Sequence, residues 1–155
     1  DGALGPALRQ RAADRAISQR VHVLPPVPPD EVVAWARSAD IGVSPIVPSC
    51  LNYRYSLPNK LFQYMAAGLP VVASDLPQVR EVVTDARCGM VVDTRRPEAM
   101  ASAIGQLLAD PAAGDLGRRG AEAVRDRYHW GVAGQRLLDL YADLVPDRSH
   151  VYHPP

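Results

Sequence analysis

Four short apolar runs, at residues 21–24 (VHVL), 41–45 (IGVSP), 71–74 (VVAS) and 89–92 (GMVV), alternate with segments whose apolar residues recur every three to four positions. Runs this short read as strands, and the recurrence between them reads as amphipathic helix. Strand, helix and strand in series close most simply as a right-handed crossover between parallel strands. Repetition of that unit predicts an α/β fold, a doubly wound parallel sheet with helices on both faces. The 155 residues suffice for one such domain, and no solenoid-type repeat competes with it.

The helices can be placed individually. Pro6 opens the first, and Leu8, Ala12, Ala13, Ala16 and Ile17 extend it to a polar break at 18–20. After the run at 21–24, Pro25, Pro26, Pro28 and Pro29 form a stiff extended turn. Asp30 is then expected to cap a helix carrying Val32, Trp35 and Ala36 on one stripe. Pro58 starts a further helix that stops at Gly68, with Leu61, Phe62, Met65 and Ala66 on its buried face. Another helix spans 77–86. From Pro97, Met100, Ala103, Ile104, Leu107 and Leu108 follow the helical template without a miss. Helical runs at 112–127 and 132–144 come next, and residues 146–155 lose all pattern. The expected division is a domain over 1–145 and a tail over 146–155. The chain opens without Met, inside what reads as a loop, so a piece of a longer protein lacking the first strand or strands of its sheet is expected.

Charge and cysteine usage narrow the chemistry. Seventeen basic and seventeen acidic residues cancel, so nothing in the balance calls for nucleic acid, and any phosphate site must be local. Cys50 and Cys88 lack metal-ligand spacing and read as structural or reduced surface thiols. His150 and His153 make a poor metal site without further ligands, and Tyr128, His129 and Trp130 read as packing between two helices. No stretch has the length of a membrane span, so a cytoplasmic setting is expected. Arg95 and Arg96, or Arg118 and Arg119, read as solvated faces, with an interdomain contact or a peripheral contact to the cytoplasmic face of a membrane left open.

One segment carries more specific chemistry. Residues 46–57 show no clean period and form a loop between a strand and the Pro58 helix, where ligands of parallel α/β sheets bind. That loop supplies Asn52, Tyr53, Arg54, Tyr55 and Ser56. In the helix, Asn59, Lys60 and Gln63 share one patch of the first two turns, opposite the apolar stripe. A helix N-terminus with its free amides, joined by the chain's only lysine, suits a diphosphate. Gln63 can donate and accept, as a ribose diol requires. The same polar first turn also fits a plain solvated helix face.

The run 51–75, LNYRYSLPNKLFQYMAAGLPVVASD, resembles the donor-binding segment of glycosyltransferase family four, in the branch written NYxYSLPNKLFEYMxAGxPVV. The order of 21–24, Asp30 and Glu31, residues 88–93, the Pro97 helix and residues 128–130 matches as well, so the likeness covers about residues 1–144. The resemblance implies a GT-B architecture in which this chain is the Rossmann-like half that grips a nucleotide-diphosphate sugar. A separate acceptor-binding domain would lie N-terminal to it. Transfer would proceed with retention and without a metal or other cofactor. It further implies donor contacts at Asn59, Lys60, Gln63, Tyr55, Ser56 and Leu57, and base contacts near Val27; no catalytic residue is assigned. Where the family carries a ribose-binding carboxylate this chain has Gln63, which hydrogen-bonds without the assistance of charge. A non-catalytic nucleotide-binding module derived from such a domain is the rival reading, and a nucleotide-sugar epimerase of similar architecture stands behind both.

Overall fold

A computed structural model describes residues 2–144; the tail expected at 146–155 lies outside the described residues. Three strands, β1 (Gly42–Ser44), β2 (Val71–Ser74) and β3 (Gly89–Val92), form a parallel sheet in that order. The helices are α1 (Gly5–Ala12), α2 (Val32–Ala36), α3 (Leu51–Tyr55), α4 (Asn59–Ala66), α5 (Pro77–Ala86), α6 (Pro97–Ala109), α7 (Ala113–Asp126) and α8 (Trp130–Leu144). None of the helices among the described residues is long and apolar enough to cross a membrane.

Alternation along the strands divides the core between the two faces of the sheet. Val71 and Ala73 turn toward a cluster built from Leu61 and Met65 of α4, Val79, Val82, Val83 and Ala86 of α5, and Ala123 of α7. Val72 turns the other way, against Ala103 and Leu107 of α6. Helices therefore cover both faces, as the doubly wound class requires. Cys88 is fully buried in the first cluster, and burial pushes its thiol up from an ordinary 9.0 to about 11.

Helix α4 is seated by residues with no side chain. A Cβ on Gly42 of β1 would overlap the Tyr64 side chain, and one on Gly117 of α7 would fall 1.9 Å from the Gly68 carbonyl oxygen. These close approaches put Leu61 and Met65 wholly out of water, at about 1.5–3 kcal/mol each. The helix ends in a Schellman motif: Gly68 N–H donates to the Met65 carbonyl (2.9 Å) and Leu69 N–H to Tyr64 (3.1 Å), with Gly68 at φ 79°. At the C-terminus of α5 the same turn places Arg87 at φ 48°.

Several expectations are corrected. Residues 21–24 form no strand, and Val21, Val23 and Leu24 are exposed. A strand exists only where a neighbour takes its backbone groups. Among the described residues β1 pairs with β2 alone, and the prolines that follow Leu24 offer no amides to a ladder. The first helix stops at Ala12, and its short stripe buries nothing. Asp30 does not cap α2: Glu31 is the N-cap residue, without a side-chain bond, and only Ala36 of the expected stripe is buried. Phe62 and Ala66 are half-buried, because the sheet and α7 receive the Leu61 and Met65 side of α4. The loop 46–57 contains the single turn of α3. Tyr128 packs on Phe62 (centroids 5.6 Å apart) and donates to Asp85 (2.8 Å), but Trp130 remains 78% exposed.

Candidate functional site

The carboxyl ends of the three strands point toward one edge of the molecule, and two clefts open there. The first, about 540 Å³, is lined by Pro45, Ile46 and Val47 as the chain leaves β1, by Ser49, Asn52 and Tyr53, and by Ser56 and Pro58 as it enters α4. The second, about 800 Å³, is lined by Ser74 at the end of β2, by Asp75 after it, by Asp93 and Thr94 after β3, and by Pro48 and Arg54 of the loop. The second is polar because each residue just past a strand end leaves the apolar sandwich and meets solvent, whereas Pro45, Ile46, Val47 and Pro58 make the first largely apolar.

Helix α4 enters this edge without a lid of its own side chains. Its N-cap residue is Pro58, extended at φ −76°, ψ 136°, and no side chain caps the first turn. Leu61 N–H folds back onto the Pro58 carbonyl (3.1 Å), while the amides of Asn59 and Lys60 have no acceptor among the described residues. Lys60 is exposed and within salt-bridge distance of no carboxylate among those residues. Two free amides, the helix dipole and a cation therefore act in the same place, an arrangement suited to an anion.

At the end of β1 lies a buried hydroxyl without a partner among the described residues, Ser44 Oγ. It sits two residues beyond Gly42 on one face of β1, the face that α4 covers. An unsatisfied buried hydroxyl is a cost the fold carries at the last residue of β1.

The residues expected from the sequence are distributed unevenly. Ser56 lines the first cleft, as do Asn52 and Tyr53 from the same loop. Its hydroxyl donates to the Tyr53 carbonyl at 3.0 Å, which closes the turn after α3. Asn59 and Lys60 are exposed at the start of α4 and Gln63 is half-buried one turn on, outside the lining of either cleft. Tyr55 and Leu57 are exposed and also outside the lining, with the Arg54 guanidinium 5.8 Å from the Tyr55 ring centroid. Val27 is half-buried in an unpaired extended segment. Sequence reading missed Ile46, Ser74 and Thr94. In sequence each stands only as a residue at or just past a strand end, which does not reveal that the three meet.

The second cleft carries two exposed ion pairs, Arg80 with Asp75 and Arg95 with Asp93, the latter at 2.9 Å. The Arg95 hydrogen bonds hold the Asp93 carboxyl below the usual carboxylate range.

Compared with known proteins, residues 1–110 match the model of the family described as glycosyl transferases group 1. The chain belongs to that family. Within it, similar relatives include a D-inositol 3-phosphate glycosyltransferase of Acidothermus cellulolyticus, 36% identical over 141 residues, which are 91% of this chain and 30% of the relative. Another of the same name, from Mycobacteroides abscessus, is 33% identical over 141 residues, with the same shares of each chain. A solved sucrose-phosphate synthase from Thermosynechococcus elongatus superimposes with a TM-score of 0.79 at 27% identity, over 94% of this chain and 35% of that one. The chain thus spans about a third of the length of the family members it matches. The three-stranded parallel sheet and its helices match the Rossmann-like half of a GT-B fold.

Proposed function

We propose that this chain is the donor-binding half of a retaining, GT-B-type glycosyltransferase, which holds the nucleoside diphosphate of a sugar donor at the N-terminus of α4. The observation that carries the reading is the bare first turn of α4, where two free amides and the lone lysine meet at the carboxyl edge of the sheet in a chain of this family. There the helix dipole and Lys60 would neutralise the diphosphate as it departs and its charge grows, which is where electrostatic stabilisation lowers a barrier most. Gln63, one turn along, would hydrogen-bond the ribose hydroxyls. Tyr55, Ser56 and Leu57 would flank the sugar-diphosphate, and Val27 would approach the base. The chemistry asks for no metal, because a cation and a helix terminus already face the leaving group. The acceptor would be presented by a separate N-terminal domain. Such an enzyme works on the cytoplasmic side, where nucleotide sugars are available, and a polysaccharide or glycoconjugate acceptor would draw it to the membrane surface.

Isothermal titration with UDP, GDP and ADP tests the reading. Wild-type protein is expected to bind one of them, and the Lys60→Ala, Gln63→Ala double variant to bind it at least about tenfold more weakly, the equivalent of roughly 1.4 kcal/mol. Equal affinities for the two proteins would sink it. Gln63 favours a second reading, a nucleotide-binding module without transfer activity, because amide replaces carboxylate at the ribose position. Gln63→Glu separates the two: gain of sugar transfer in the full-length protein would mark the wild type as a binder.

A further inference from the structure

Between β1 and α3 the chain has little to hold it. Pro45 and Pro48 contribute no amide, and among the described residues no backbone group pairs with Ile46. Ile46 is nevertheless fixed at both its backbone polar atoms by side chains from the two neighbouring strand ends. Its N–H donates to Ser74 Oγ at the end of β2, and its carbonyl accepts from Thr94 Oγ1, two residues past β3, at 2.8 Å.

The two hydroxyls also meet each other. Ser74 Oγ lies 3.3 Å from Thr94 Oγ1 and 3.2 Å from the Ser44 carbonyl. A serine hydroxyl has one proton to give. When it goes to Thr94, a closed ring results: Ile46 N–H to Ser74, Ser74 O–H to Thr94, Thr94 O–H back to the Ile46 carbonyl. Every donor is used once and all bonds run in one sense, the arrangement in which hydrogen bonds polarise one another. Ser74 is 1% exposed, so water competes little for its bond to the amide. Ile46 itself packs against the larger core cluster.

This ring stands between the clefts, since Ile46 lines the first while Ser74 and Thr94 line the second. We propose that Ser74 and Thr94 are positioning residues, which hold Ile46 and through it the loop from Pro45 to Pro58 in the geometry that receives the nucleotide. The proposal rests on the donor-site reading above. Neither hydroxyl touches the ligand; each acts through the backbone of Ile46. The ion pairs Arg80 with Asp75 and Arg95 with Asp93 sit outside the ring and leave its proton count unchanged.

Thr94→Val keeps the shape and removes the bond to the Ile46 carbonyl, and Thr94→Ser restores a hydroxyl. In the full-length protein, Thr94→Val is expected to weaken binding of whichever of UDP, GDP or ADP the wild type takes by about fivefold to tenfold. The denaturation midpoint should stay close to wild type, and Thr94→Ser should recover the affinity. A second readout needs no ligand: hydrogen exchange at the Ile46 amide should speed up in Thr94→Val and in Ser74→Ala, and slow again in Thr94→Ser. If Thr94→Val fails to fold, Ser74→Ala carries both measurements. Wild-type affinity in Thr94→Val, or unchanged exchange at Ile46, overturns the latch while leaving the donor site standing. If Lys60 and Gln63 prove irrelevant to binding, the donor reading fails, and the exchange rates alone decide whether the ring holds the loop.

Discussion

In α4 the apolar residues Leu61 and Met65 are fully withdrawn from water, whereas in α8 Leu137, Leu138, Leu140 and Leu144 remain between 44% and 68% exposed. Both helices are amphipathic, and α8 is the longer, at 15 residues against 8. Pattern and length are therefore enough to make a helix, but not to bury one. What α4 has in addition is a surface shaped to receive it: Gly42 below and Gly117 beside it each leave out a side chain where the helix passes. No residue of α8 is buried, and its start is anchored to the rest of the molecule by its neighbour Tyr128.

That contrast can be broken in three places. Gly117→Ala puts a methyl group on the Gly68 carbonyl, and since backbone faces backbone there, neither side can yield cheaply. A loss of about 3 kcal/mol in denaturant unfolding is expected, and an unchanged midpoint would show that α7 does not clamp α4. Cys88, buried beside Gly120 in the same cluster, gives the next effect. Its folded-state thiol is raised from 9.0 to about 11, so the unfolded chain ionises first as pH rises. The Cys88 contribution to stability is intact below pH 9 and is lost between 9 and 11, about 2–3 kcal/mol in all. Cys88→Ala should flatten that alkaline limb, and a limb equally steep in the variant would assign it to another group. Smallest is Leu138→Ala on α8, expected to change the stability of the 155-residue chain by less than about 0.5 kcal/mol. A larger loss would mean that α8 is packed after all.

The same contrast explains what was legible in the sequence. The Pro58 to Gly68 helix was readable because its start signal, stripe and stop signal all lie within one short stretch, and the Schellman turn at Gly68 honours them. Residues 71–74 and 89–92 were readable because each pairs with a strand that is present. Residues 21–24 are as short and mostly apolar yet remain unpaired among the described residues, since periodicity reports what a segment can do and pairing depends on a neighbour. The Ser74, Thr94 and Ile46 ring was beyond reach for a related reason. Its members are 20, 28 and 48 positions apart, and a serine at a strand's end or a threonine just past one looks like an ordinary turn residue. At the site, the loop and the α4 terminus were visible as a strand followed by an aperiodic run and a proline-led helix. That Ser56 lines the cleft while Lys60 and Gln63 stand outside its lining depends on the direction of α4, which spacing does not encode.

The two cysteines differ in access. Cys50 is exposed, at the N-cap of α3 within the loop that Ile46 begins, whereas Cys88 is buried and its thiolate disfavoured. A reagent needs an open approach to the sulfur, and of the two cysteines only Cys50 offers one. Within this chain the fold has in effect left one addressable thiol, placed on the loop that joins β1 to α4. A fluorophore or spin label coupled there would report on that segment without any engineered mutation.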